Sequence, residues 1–268
     1  MIRIEPRQSS SALMTYGIPV LSALISLLLA AIPLMLSSAP VGASYVEMFR
    51  GVFGSKFAFS EMLTRATPLI FTGLAAALAF RARLWNIGAE GQLYLGAMAA
   101  AAIGTGVLDV PGIFLIPMIM FMGCAAGAAG MAIPTILKTR FGADEVVTTL
   151  LLNFIILIFL QYMLEGPLKD PMGLGWPQSS PILDQGMLPP LMDRMRIHSG
   201  LLIALGCAII AQFMLVRSVW GLKLRAIGEN ASAARHAGIR VHRTLMSAAI
   251  VSGALAGMAG VSEVAGLK

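Results

Sequence analysis

Seven apolar runs, at or near the length of a bilayer crossing, govern what this chain can fold into. They fall at 17–36, 66–80, 91–107, 112–137, 146–164, 200–216 and 245–261. A bilayer's hydrocarbon core is about 30 Å thick and takes roughly 20 apolar residues of helix to cross. Inside it every backbone N–H and C=O must be satisfied by the chain itself, which a helix does within one segment. The runs predict an all-α fold, a polytopic transmembrane helical bundle of about seven spans, organised as one membrane domain over 1–268. The run at 66–80 is short and contains Pro68, which predicts an upstream extension or a broken or tilted span.

Composition excludes the soluble alternative. Hydrophobic residues make up 57 % and charged residues 12 %, against roughly 25 % charged in a soluble domain. The net charge of +6 is therefore read as basic loops beside a lipid bilayer, and no nucleic-acid partner is expected. Lys/Arg bias sets orientation. With the N-terminus inside, the inner segments hold Arg3, Arg7, Arg81, Arg83, Lys138, Arg140, Arg217, Lys223, Arg225, Arg235, Arg240 and Arg243. The outer loops hold only Arg50, Lys56, Arg65, Lys169, Arg194 and Arg196. Twelve against six predicts a cytoplasmic N-terminus. The first run exceeds the 7–15 residues of a signal-peptide core, so it is a retained helix.

Two loops stand out. The outer one, 165–199, holds six of the fourteen prolines and Trp176; a loop of that length is either functional or disordered. The inner one, 217–243, carries half of the inner positive charge. Within the spans, Gly123, Gly127 and Gly130 share their spacing with Gly253, Gly257 and Gly260. Such small-residue patterns let helix backbones approach closely, and their recurrence in both halves fits an internal repeat. Cys124 and Cys207 lie in apolar runs and read as packing residues.

Chemistry-bearing residues concentrate in two places. In RARLWNIGAEGQLYLG, 81–96, glycines 88 and 91 bracket Glu90, with Asn86 and Gln92 close by. This reads as a break between two spans, and an ionisable residue at such a place is a candidate for the transport path. Glu90 is equally suited to the N-terminus of the following span, where the helix dipole favours a carboxylate by about 0.3–1 kcal/mol and where Arg81 or Arg83 is available to pair. In the second place, Asn230 is a good N-cap and Gly238 a good C′ residue for two turns of small-residue helix. That helix could dock into a partner's groove, or the basic loop could lie on anionic lipid. His236 and His242 lack metal-pair spacing.

No G-x-x-x-x-G-K-[ST] loop, nucleophile elbow or H-E-x-x-H occurs, so neither nucleotide binding, catalysis nor a cofactor has a foothold. The spans carry almost no charge besides Glu90, which argues against an ion-coupled carrier. A stand-alone channel or carrier and a membrane enzyme remain the alternatives from other classes.

Three segments in order, FRARLWNIGAEGQLYLGA (80–97), ADEVVTTLLLNFI (143–155) and LRAIGENASAARHAGI (224–239), resemble the permease subunits of ABC importers. The likeness is to the simple sugar and nucleoside subgroup, and branched-chain amino-acid permeases share the general architecture. The resemblance implies a transport subunit without enzymatic activity of its own in the bacterial inner membrane. Implied partners are a second permease subunit, a cytoplasmic ATPase subunit and an extracytoplasmic substrate-binding lipoprotein. It places Asn86, Gly88, Glu90, Gly91 and Gln92 beside the translocation path. It makes Gly228, Glu229, Asn230, Ala233, Ala234, Arg235 and Gly238 the segment that couples to the ATPase. Such permeases have about ten spans, so a chain ending after the seventh is expected to be a C-terminally truncated form.

Overall fold

The structure is a computed structural model and describes residues 11–106, 110–192 and 194–267. Ten α-helices make up the described chain, joined by turns, two isolated β-bridges and one 3₁₀ turn. Contacts divide it into two compact units, 1–59 and 60–268.

The first unit holds α1 (Ala12–Leu36), α2 (Val41–Phe53) and the start of α3 (Lys56–Arg81). Ser11 caps α1, its Oγ accepting from the Met14 N–H at 3.3 Å. Tyr45 on α2 donates its hydroxyl to the Leu27 carbonyl of α1. Ser55 Oγ accepts from the Ala58 N–H at 3.0 Å and starts α3. That helix begins ten residues before the apolar run at 66–80 and carries Pro68 within it. Its buried positions include Ser60, Thr64, Thr67, Phe71, Ala75 and Leu78. They form one helical stripe whose outer half is built from small polar residues, which a hydropathy reading passes over.

The second unit continues α3 and adds α4 (Ala89–Gly104), α5 (Gly112–Phe141), α6 (Glu145–Glu165), α7 (Gly200–Arg217), α8 (Val219–Glu229), α9 (Ala231–His236) and α10 (Val241–Gly266). Six helices, α1, α3, α5, α6, α7 and α10, are long and apolar enough to cross a membrane. The third apolar run becomes α4, which has 16 residues and is about 24 Å long at 1.5 Å per residue. Val107, the end of that run, lies outside the described residues, as do Arg3, Arg7 and Lys268.

Helix α10 packs most extensively, against α5 and α4, and the two glycine patterns are the reason. A Cβ added at Gly127 would strike the Gly253 carbonyl, one at Gly257 the Gly123 carbonyl, and one at Gly260 the Leu93 carbonyl of α4. The recurring patterns thus face each other across one seam, where backbone meets backbone.

Two apolar clusters lie toward opposite ends. One gathers Phe71, Leu115, Ile119, Met258 and Val261 with Ile182 and Leu188 of the 165–199 segment. The other gathers Met131, Leu245 and Ala249 with Ala82, Leu84, Leu224, Ile227 and Ala234. The second end also holds 138–145 and 217–243 and is called the basic end below; the first is called the loop end.

Candidate functional site

At the basic end α3 stops in a turn written by hydrogen bonds. The Arg83 N–H donates to the Phe80 carbonyl and the Leu84 N–H to the Ala79 carbonyl, at 3.0 and 3.1 Å, with Arg83 left-handed at φ 51°. This is the Schellman arrangement, and Leu84 is fully buried beside Ala79. The chain then runs extended to Asn86, which is 3 % exposed, while Gln92 is 1 % exposed.

The two amides bind each other reciprocally. Asn86 Nδ2 donates to Gln92 Oε1 and Gln92 Nε2 donates to Asn86 Oδ1, both at 2.9 Å. Asn86 Nδ2 also donates to Ser252 Oγ at 2.9 Å, and Ser252 passes its proton to the Ala75 carbonyl at 2.7 Å. Asn86 Oδ1 further accepts from the Gly88 N–H at 3.1 Å. The Asn86 amide thereby uses both donors and both acceptor positions. One uncharged side chain ties α3, α4 and α10 to the break.

Helix α6 holds the other side through a stripe at 145, 149 and 153. Asn153 Oδ1 accepts from the Gly91 N–H at 2.9 Å, and its Nδ2 donates to the Ile87 carbonyl at 3.1 Å. Glu145 Oε1 accepts from the Trp85 N–H at 3.4 Å and pairs with Lys138. A Cβ at Gly88 would come within 3.1 Å of Thr149, and one at Gly91 within 2.6 Å of Asn153 Oδ1. Helix α6 thus approaches both positions closely: a side chain at Gly91 would force a shift of Asn153 or Ile156, and one at Gly88 would press on Thr149 and Gln92. Glu90 stands apart from this network. It is exposed in the first turn of α4, its Oε1 accepts from the Tyr94 hydroxyl at 3.0 Å, and among the described residues it makes no ion pair with Arg81 or Arg83.

The second candidate segment lies beside the first. Asn230 Oδ1 accepts from the Ser232 and Ala233 N–H groups, each at 3.0 Å. At the other end Gly238, φ 83°, donates to the Arg235 carbonyl and Ile239 to the Ala234 carbonyl, both at 3.0 Å. Ala234 is the buried residue of α9, while Glu229, Asn230, Ala233, Arg235 and Gly238 are exposed. Gly228, at the end of α8, is buried so closely on α3 that a Cβ would strike the Arg81 carbonyl. A cavity of about 500 Å³ separates the two segments, lined by Arg83, Lys138, Glu229, Asn230 and Ser232 among others.

At the loop end the described part of 165–199 is seated on the bundle. The Leu183 N–H donates to the Gly104 carbonyl at 2.8 Å and the Leu188 N–H to the Ala265 carbonyl at 2.7 Å. Ile182, Leu188, Ile197 and His198 are buried, so the segment seats its own apolar side chains on α4, α5 and α10. His198 Nδ1 accepts from the Gly200 N–H at 3.2 Å, and burial pushes its imidazole below the ordinary pKa because desolvation disfavours the cation. Arg196 and Arg65 converge on Glu61, at 3.6 and 4.0 Å.

The family model described as branched-chain amino acid transport system / permease component matches residues 58–268. The chain belongs to this permease family. The permease is 36 % identical over 247 residues to a guanosine ABC transporter permease protein of Bacillus subtilis, covering 92 % of this chain and 71 % of the relative. It is 35 % identical over 276 residues to a glucose ABC transporter permease protein of Haloferax volcanii, covering 99 % and 72 %. It is 30 % identical over 251 residues to a nucleoside ABC transporter permease protein of Lactococcus lactis subsp. cremoris, covering 91 % and 69 %. No solved structure matches it. It is a multi-pass membrane protein and a permease subunit of an ABC transporter.

The permease builds its polar centre partly from residues that the sequence reading left unassigned: Asn153, Glu145, Thr149 and Ser252. The signal for the first three was present. Polar residues at 145, 149 and 153 repeat every fourth position on an otherwise apolar helix, so they share one face.

Proposed function

We propose that this permease is the membrane-spanning subunit of an importer for nucleosides or simple sugars, with residues 1–268 acting as one membrane domain. ATP hydrolysis belongs to a separate cytoplasmic subunit. Solute comes from an extracytoplasmic binding lipoprotein, and a second permease subunit completes the pathway in the inner membrane. The basic end faces the cytoplasm, as does the N-terminus, in keeping with the Lys/Arg bias.

The observation that carries this reading is the juxtaposition at the basic end of a buried, almost uncharged amide network with an exposed, doubly capped helix. Asn86, Gly88, Gly91 and Gln92 fix the break that borders the path, and Glu90 lies at its margin. Buried and hydrogen-bonded to each other, Asn86 and Gln92 hold the break without placing a fixed charge beside the path, which suits an uncharged polar solute. Glu229, Asn230, Ala233, Arg235 and Gly238 present α9 to the ATPase, while Ala234 and Gly228 seat it on the core. The relatives named for guanosine, nucleoside and glucose transport support the solute class.

The family description favours a second reading, a branched-chain amino acid as solute. Uptake by cells expressing the full transporter separates them: labelled guanosine or glucose should accumulate and leucine should not. Leucine uptake alone would replace the first reading with the second. Flux through the purified chain in liposomes without ATP would overturn both.

A further inference from the structure

Around the start of α10 three cations surround one cavity of about 540 Å³, separate from the break and bounded on one side by Ala237 and Gly238 at the end of α9. Lys223 of α8, Arg240 and Arg243 line it together with Trp220, Thr244 and Ser247. No carboxylate lines it, and none of the three cations forms an ion pair among the described residues. An adjoining hollow adds Arg235 and His242 to the same rim.

The wall is built rather than incidental. Trp220 Nε1 donates to Ser247 Oγ at 2.8 Å, and Ser247 donates to the Thr244 carbonyl at 2.8 Å. The Thr244 hydroxyl donates to the Arg240 carbonyl at 3.2 Å. The indole and both hydroxyls have thus committed their protons to the wall, leaving the ammonium and two guanidinium groups as the donors that point to a ligand. Three unpaired cations and no acid call for an anion with several acceptor oxygens, and phosphate is the group that guanidinium forks match best.

The depth of the cavity chooses the source. Val219, on its rim, is 68 % exposed, and Ile250, three residues into α10 from Ser247, is 46 % exposed. Residues three apart share a helix face. The cavity therefore opens where the cationic surface gives way to exposed apolar surface, with a tryptophan at the boundary. In a multi-pass protein that is the level of lipid headgroups. We infer that Lys223, Arg240 and Arg243 form a site for the phosphate of an anionic phospholipid, seated between α8 and α10. A lipid held there would brace the base of α10 against the segment that carries α9.

Native mass spectrometry of the full chain, purified in detergent and titrated with phosphatidylglycerol or phosphatidylcholine, tests this. Phosphatidylglycerol adducts should form on the wild-type protein and phosphatidylcholine adducts should not. A Lys223→Gln/Arg240→Gln/Arg243→Gln variant should bind phosphatidylglycerol at least tenfold more weakly. An Arg140→Gln/Arg217→Gln control, which removes two exposed cations elsewhere at the same end, should stay within about twofold. If the triple variant is not monodisperse, Arg243→Gln alone should still weaken binding several-fold. Equal loss in the control would reduce the site to general surface charge and overturn it. Displacement of the lipid by inorganic phosphate or glycerol phosphate at similar concentration would make it a free-phosphate site. Unchanged lipid binding by the triple variant, with loss of the co-purifying ATPase, would give the cavity to a protein partner instead.

Discussion

Arg83 and Gly238 close their helices with the same left-handed turn, and Asn86 and Asn230 each turn a side-chain carbonyl onto nearby backbone N–H groups. The surroundings are opposite. Around Asn86 the amide meets Gln92 of α4 and Ser252 of α10 as well as the local Gly88 N–H. Around Asn230 the bonds stay local and the helix they cap shows most of its surface to solvent. The first segment is fastened to tertiary structure; the second is a self-supporting piece held by one alanine, Ala234. A polar group deep in an apolar bundle has to be fully paired, since water is not there to replace a missing partner. A segment built to meet another protein keeps its bonds local and its surface free.

Five substitutions sharpen or break that contrast. The largest effect is expected of Asn86→Leu, which orphans the Gly88 N–H and Gln92 Oε1 and leaves Gln92 Nε2 only the Met131 sulfur. Each buried orphan costs about 1–3 kcal/mol, so the variant should be nearly absent from membranes by immunoblot. Normal abundance would mean that the break does not depend on its amide. Lys138→Met and Glu145→Gln come next and should differ from each other. The Glu145 side chain is 8 % exposed and that of Lys138 29 %. Removing the lysine strands a buried carboxylate, at a cost of about 3–5 kcal/mol for a broken buried pair. Removing the carboxylate leaves a lysine that reaches water and an amide that still accepts from Trp85. Thermal unfolding in detergent should rank Lys138→Met well below Glu145→Gln, and the reverse order would contradict the assigned burial.

Ala234→Pro should separate stability from coupling. It removes the bond from the Ala234 N–H to the Asn230 carbonyl, 2.9 Å in the structure, at about 3 kcal/mol for a helix interior. Because the affected bonds are local, membrane abundance should hold while co-purification of the ATPase is lost. Retained ATPase would show that α9 is not the docking element. The smallest effect belongs to Glu90→Gln. The carboxylate is exposed and bonded to Tyr94, so its loss should remove at most the dipole contribution of about 0.3–1 kcal/mol. Transport should stay near wild type, and a several-fold drop at normal abundance would place Glu90 in the path after all.

The all-helical class, the membrane spans and the caps of α9 were legible because each rests on local information: apolar run length, an N-cap residue, a C′ glycine. Features set by distant partners were harder to read. Glu90 is the charged residue of its motif, whereas the hydrogen bonds that cross the break run through Asn86 and Ser252, 166 residues apart. The upstream extension offered for the run at 66–80 is what α3 makes, starting at Lys56, although its buried residues there, Ser60 and Thr64, carry no apolar signal. Helix α2 escaped because it is short and sits in what reads as a loop. For 165–199 the sequence offered prolines and length but no means of seeing that Ile182, Leu188 and Ile197 would be seated on the bundle.

The glycine seam has a mechanical consequence. Where Gly127 meets Gly253 and Gly123 meets Gly257, α5 and α10 touch through backbone, and those contacts have no rotamer to change. Packed interfaces move between discrete states by repacking their side chains. We expect α5 and α10 to move together along that stretch. Helix α6 is held differently, its most apolar stretch only 11 % buried against 67 % for α10. Its hold on the break is three side chains spaced one turn apart, Glu145, Thr149 and Asn153, contacts that changes of rotamer can release one at a time.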